Sequence, residues 1–147
     1  MIRVVLAVAL TAALLGSALP SAERADRERN AALATAEIET IVDTAARLVA
    51  ENDPVSPAGT PAATTAVIDV PQPTLAGGGR IRILDDELRW EPTGGRNRTV
   101  ESSVPLRVET PIVVTDRIRI RLSLVRLDGS TIVFARSEGN AQTEPRI

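Results

Sequence analysis

Cysteine, histidine and lysine do not occur among the 147 residues, and the aromatic side chains are limited to Trp90 and Phe134. Each absence removes chemistry. Without cysteine or histidine there is no thiolate nucleophile, no disulfide and no histidine-based triad, and the usual ligands of zinc, haem and iron–sulfur clusters are missing. Without lysine there is no Schiff base, no phosphate-gripping Walker lysine and no buried amine base. All 17 basic residues are therefore arginine, which alongside abundant alanine, valine and aspartate is the coding bias of a GC-rich genome. Two aromatics cannot furnish a stacking platform for bases or sugar rings, so the core must be aliphatic. A formal net charge of −2 gives the whole molecule no pull toward nucleic acid or anionic lipid. The length allows one domain with an appendage. No cofactor, metal or small-molecule substrate is implied, and the expectation is a non-enzymatic protein.

What is abundant comes first in the chain. Arg3 precedes a greasy run from Val4 to Leu19, and no charge recurs before Glu23. A short positive leader followed by such a run matches a secretory signal, with Ala18, Ser21 and Ala22 as small residues near a cut. The same segment falls between a signal core and the ~20 apolar residues of a spanning helix, so retention as an anchor stands beside cleavage. No twin arginine or lipobox cysteine is found. With Arg3 kept on the cytoplasmic side, both readings export the rest. Residues 1–22 are thus a signal peptide or membrane anchor, and the localisation is extracytoplasmic, membrane-anchored or secreted.

Pro20 permits a kink or a fresh helix start, and Glu23, Asp26 and Glu28 carry the negative charge that favours a helix N-terminus. Ala31, Ala34, Ile38, Ile41, Ala45 and Leu48 then recur at spacings of three and four, which predicts an amphipathic helix over 23–53. Its bulkier end, Ile38, Ile41, Ala45 and Leu48, is expected to pack on a sheet. Prolines and a glycine make 54–64 a semi-stiff linker. From there the period changes to two. Ala66–Val70, Arg80–Leu84, Leu88–Trp90, Val100–Glu109, Ile112–Val125 and Thr131–Ala135 read as strands, clearest where Ile118, Ile120, Leu122 and Leu124 alternate with Arg117, Arg119, Arg121 and Ser123. Asp85-Asp86 and Asp128-Gly129 mark hairpin turns, and Pro105 demotes part of its run to an edge or bulge. The expected fold is α+β: a long N-terminal helix, hydrophobic then amphipathic, packed on a small antiparallel sheet over 65–137, with a flexible tail over 138–147.

Several stretches invite chemistry. "AGGGRIRI" at 76–83 lacks the ending of a phosphate loop and leads into a strand where a nucleotide fold would open a helix, so a flexible loop is favoured. Asp85, Asp86 and Glu87 lack the spacing of a calcium loop and sit where a hairpin turn is expected. Ser102 and Ser103 have no base to activate them. Arg80, Arg82, Arg117, Arg119 and Arg121 would form a basic stripe able to bind an anionic ligand if their strands were neighbours; the competing reading is a solvated face paired with carboxylates. Asn97-Arg98-Thr99 fits the glycosylation rule at Asn97.

The hydrophobic helix ending in "LLGSALP", the amphipathic continuation and the following antiparallel sheet together resemble the plan of type IV pilins and pseudopilins. Pilins are cut after a short basic leader at Gly or Ala, and bacterial ones carry an early glutamate; "MIRVV" has neither. The arginine-only composition also resembles small exported haloarchaeal proteins of pilin-like plan. The resemblance implies an archaeal, membrane-tethered accessory subunit of a type IV pilus or secretion assembly, held in the membrane through Val4 to Leu19 and partnered by other surface proteins. The alternative is a soluble secreted domain that applies its arginine face to an anionic ligand.

Overall fold

A computed structural model describes residues 2–56, 58–75 and 77–139. Helix α1 spans Ile2–Glu51, with Pro20 inside it. The long N-terminal helix is present as expected, and Pro20 neither ends it nor starts a second one. Proline forfeits one backbone hydrogen bond, to the carbonyl four residues earlier, and the alanine- and leucine-rich sequence on either side carries the helix across. The helix ends at Glu51; Asn52 follows, its Nδ2 donating to the Leu48 carbonyl at 3.0 Å, and Pro54 comes next.

Eight strands come next: β1 (Ala63–Ile68), β2 (Gly79–Leu84), β3 (Glu87–Pro92), β4 (Arg98–Glu101), β5 (Leu106–Val108), β6 (Ile112–Val114), β7 (Ile118–Leu127) and β8 (Ser130–Glu138). They form two four-stranded sheets, ordered β1-β7-β8-β5 and β4-β3-β2-β6. The fold is α+β, as expected, but the strands divide between two sheets, and β5 runs parallel to β8 while the other pairs are antiparallel. The division has local causes. The Val100–Glu109 run breaks where Pro105 has no N–H to offer a ladder and where Ser102 Oγ donates to the Val104 carbonyl at 2.6 Å, closing a tight bend. The Ile112–Val125 run breaks where the Arg117 amide donates to Asp116 Oδ1 at 2.8 Å. At each bend the chain crosses from one sheet to the other.

The predicted turns are present. Leu127 pairs with Ser130 across Asp128 and Gly129, whose φ angles of 50° and 80° suit the right-handed twist of the hairpin. Leu84 pairs with Glu87 across Asp85 and Asp86, the latter at φ 59°. The 54–64 segment is fastened along β7: Arg126 donates to the Val55 carbonyl at 2.7 Å and Leu124 to that of Ala62 at 2.8 Å. The tail from residue 140 onward lies outside the described residues.

Both sheets turn their apolar faces to one core. Ile81, Ile83, Leu88 and Trp90 enter it from one sheet, and Ile120, Leu122, Leu124 and Val133 from the other. Ile38, Ile41, Ala45 and Leu48 of α1 are buried in the same core, where the helix meets β1, β3, β4, β7 and β8. Each large aliphatic so buried is worth roughly 1.5–3 kcal/mol. The distal half of α1 is therefore part of the head and not an arm leaning on it.

Candidate functional site

The proximal half of α1 behaves in the opposite way. Val4, Val5, Leu6, Val8, Leu10, Leu14, Leu15 and Leu19 are 55–69% exposed, on every side of the helix. A helix apolar all round is suited to lipid or to other helices, not to water. The 19 uncharged residues from 4 to 22 would extend about 28 Å at ~1.5 Å per residue, against a hydrocarbon layer of about 30 Å. The hydroxyl of Thr11 donates to the Ala7 carbonyl at 2.8 Å, so this polar group, near the middle of the stretch, is satisfied without water. This helix is long and apolar enough to cross a membrane.

Stem and head meet at Asp26. It is the first buried residue along α1 among those described, and Asn30, one turn on, is the next. The amides of Thr74 and Leu75 donate to Asp26 Oδ2 at 3.2 and 3.0 Å. One turn past Leu33, the Glu37 carboxylate takes the Asp69 amide at 3.2 Å. Further up, Ala62 and Ala63 lie beside Leu48 and Asn52. From residue 62 to 75 the chain thus runs back along α1 toward the apolar stem, and two carboxylates on the helix fix its height.

The five candidate arginines are not brought together. Arg80 and Arg82 lie on β2 of one sheet, whereas Arg119 and Arg121 lie on β7 of the other, with Arg117 in the bend before it. On the first sheet Glu91, largely buried, draws in Arg80 Nε at 2.8 Å, Arg82 at 3.7 Å and Arg89 at 3.8 Å. Arg89 also pairs with Glu87. On the second sheet Arg121 meets Glu138 at 3.5 Å and Arg136 meets Glu109 at 3.2 Å. Arg117 and Arg119 have no ion pair among the described residues. Exposed pairs of this kind contribute ~0–1 kcal/mol each, and they occupy the guanidinium groups that an anion would need.

The acidic triplet has structural duties. Asp86 Oδ1 accepts the Leu106 amide at 2.8 Å, its Oδ2 accepts Arg107 Nη1 at 2.8 Å, and Asp85 Oδ1 accepts the Val108 amide at 2.9 Å. The Asp86 amide returns a bond to the Leu106 carbonyl at 2.9 Å. The β2–β3 turn is thereby clipped to β5, an edge strand of the opposite sheet, and Glu87 is turned to Arg89. Ser102 is engaged in its own bend and Ser103 is exposed. Asn97 lies exposed in the loop before β4, accessible to modification. Among the described residues no group of carboxylates could hold a metal ion. Of the glycine run, Ala76 lies outside the described residues; Gly79 begins β2 and faces Trp90 so closely that an added Cβ would stand 2.4 Å from the indole.

One family model, described as a domain of unknown function, DUF7311, matches residues 1–138. The chain belongs to that family. No curated protein and no solved structure matches it. The DUF7311 match takes in the apolar stem together with the head, so the two halves of α1 belong to one family unit.

Two residues at the junction escape a reading of this DUF7311 sequence by hydrophobicity. Asp26 and Asn30 continue the four-residue spacing of Ala34 and Ile38 backward along the same face, but as polar residues they look like the solvated start of a helix. The spacing alone was the available signal. In the structure both are buried, and Asp26 serves the returning loop in place of the helix terminus.

Proposed function

We propose that this DUF7311 protein is membrane-tethered through the apolar stem, carries its head on the extracytoplasmic side, and works by contact with neighbouring proteins as an accessory subunit of a pilus-like or secretion-type surface assembly. The observation that carries the reading is the continuity of α1. One unbroken helix is exposed and apolar at membrane length, then becomes core without a joint. Such a helix transmits position from the bilayer to the head, which a detachable leader does not need. The orientation follows from Arg3 on the proximal side of the run and the mixed charges from Glu23 onward on the other. Stem and head in this order are also the plan of the pilins that the sequence resembles. The secreted-domain alternative has less support, because the arginines are split between sheets and Arg80, Arg82 and Arg121 are engaged by carboxylates.

Alkaline extraction of native membranes, followed by N-terminal sequencing of the recovered protein, tests the reading. The protein should stay with the membrane and retain residues 4–19. A soluble form beginning near Glu23 would overturn the tether. Ala13, midway along the 4–22 run, lies about 14 Å from either end, beyond the reach of a snorkelling arginine. Ala13→Arg should therefore cost roughly 2.5–3.5 kcal/mol of insertion, whereas Ala22→Arg at the boundary should cost little. Equal membrane retention of the two variants in a quantitative insertion assay would contradict the assigned depth.

A further inference from the structure

We infer that the 70–75 loop is a second membrane contact of the head, with Leu75 seated in the lipid headgroup layer beside the stem. This rests on the tethered reading above and adds to it the posture of the head. The argument is one of height. Asp26 stands only four positions beyond Ala22, the last of the uncharged run, a rise of about 6 Å along the helix. The headgroup layer of each leaflet is about 5–8 Å deep, half the difference between the full bilayer and its hydrocarbon core. Asp26 Oδ2 holds the amides of Thr74 and Leu75 at 3.2 and 3.0 Å, so the loop stands within that layer when the stem spans the membrane. An ordinary helix tilt of about 20° brings one flank of the head closer still.

The composition of the loop fits that partner. Between Asp69 and Arg80 there is no charged residue to dehydrate. Pro73 and Leu75 present apolar surface, and Leu75, at 55%, is the most exposed of the large aliphatics described outside the stem. The other exposed aliphatics of the head stand higher. Leu33 lies seven positions beyond Asp26 on α1, Val67 precedes the Asp69–Glu37 contact, and Leu127 closes β7 at the far end, beyond the pairing of Val125 with Val55. An isolated exposed leucine is ordinary on a protein surface. This one is pinned, through its own amide and that of Thr74, at the depth where an amphipathic loop gains from lipid.

The absence of cysteine makes the test clean. Leu75→Cys, Val8→Cys and Leu127→Cys, each the single thiol of the full chain, are labelled with an environment-sensitive nitrobenzoxadiazole dye and reconstituted into phosphatidylcholine–phosphatidylglycerol vesicles. All three positions are exposed, so the label does not enter the core. Dye at position 8 should be quenched by acyl-chain nitroxide lipids, dye at 75 by headgroup nitroxide lipids, and dye at 127 by neither. Quenching at 8 with position 75 as unquenched as 127 would overturn the loop contact and leave the tether standing. No quenching at 8 would overturn the tether, and the loop contact with it.

Discussion

Gly79 shows how closely this small aliphatic core is specified around its single tryptophan. The residue opens β2 on the flank of Trp90, and a Cβ built there would stand 2.4 Å from Cη2 and 2.5 Å from Cζ2 of the indole, and 2.8 Å from the Glu91 carbonyl oxygen. Ordinary carbon contacts lie near 3.5–4.0 Å, so ring or strand must move by about 1 Å. Neither yields cheaply. Trp90 is buried, and Glu91 belongs to the ladder that pairs with Arg80. Overpacking costs typically about 1–3 kcal/mol, and three simultaneous close contacts put Gly79→Ala at the upper end; for a head of this size that lowers the melting temperature by about 10 °C. Circular dichroism would give the melting curve. Because Trp90 is the only tryptophan, its emission reports the same site and should move to the red as the ring is displaced. Trp90→Phe removes the two carbons in the way, so Gly79→Ala should cost less in that background, with a coupling of at least ~1 kcal/mol in the double-mutant cycle. A Gly79→Ala variant that melts within about 2 °C of the parent, with unchanged emission, would refute the packing argument.

Two further outcomes are expected. Ile38→Ala, at a fully buried position of α1, should destabilise the head by about 2–5 kcal/mol, whereas Leu33→Ala, 45% exposed on the same helix, should stay within about 0.5 kcal/mol in denaturant titration; similar losses would mean that the buried stripe is misplaced. Asp86→Ala should cost about 2–3 kcal/mol, because it strands the Leu106 amide and puts alanine at φ 59°, and hydrogen exchange at Leu106 should accelerate; Asp86→Asn, which keeps an acceptor and tolerates that backbone, should lose less. Unchanged exchange at Leu106 in Asp86→Ala would show that the clip does not hold β5.

The candidate sites divide along the same line as the fold. The stem could be read directly, because lipid compatibility depends on an uncharged run and its length, both of which are linear properties of the chain. The arginine stripe could not. Arg80 and Arg82 on one strand and Arg117, Arg119 and Arg121 on another look alike in sequence, and their separation depends on which strands pair, a choice made by bends at Ser102–Pro105 and Asp116–Arg117. The acidic turn was recognisable as a turn, but its partner β5 lies some twenty residues away and runs in the opposite sheet.

Short-range pattern alone determined the amphipathic stripe of Ile38, Ile41, Ala45 and Leu48, the alternation along β7 and the Asp128-Gly129 hairpin, since each depends on neighbours within a turn or two of the chain. Tertiary packing decided the rest: two sheets in place of one, the parallel pairing of β5 with β8, the space that Trp90 denies to any side chain at Gly79, and the burial of Asp26 beneath a loop nearly fifty residues downstream. Such choices depend on which distant surfaces exclude water together, and a carboxylate on a helix takes its role from the amides that arrive beside it.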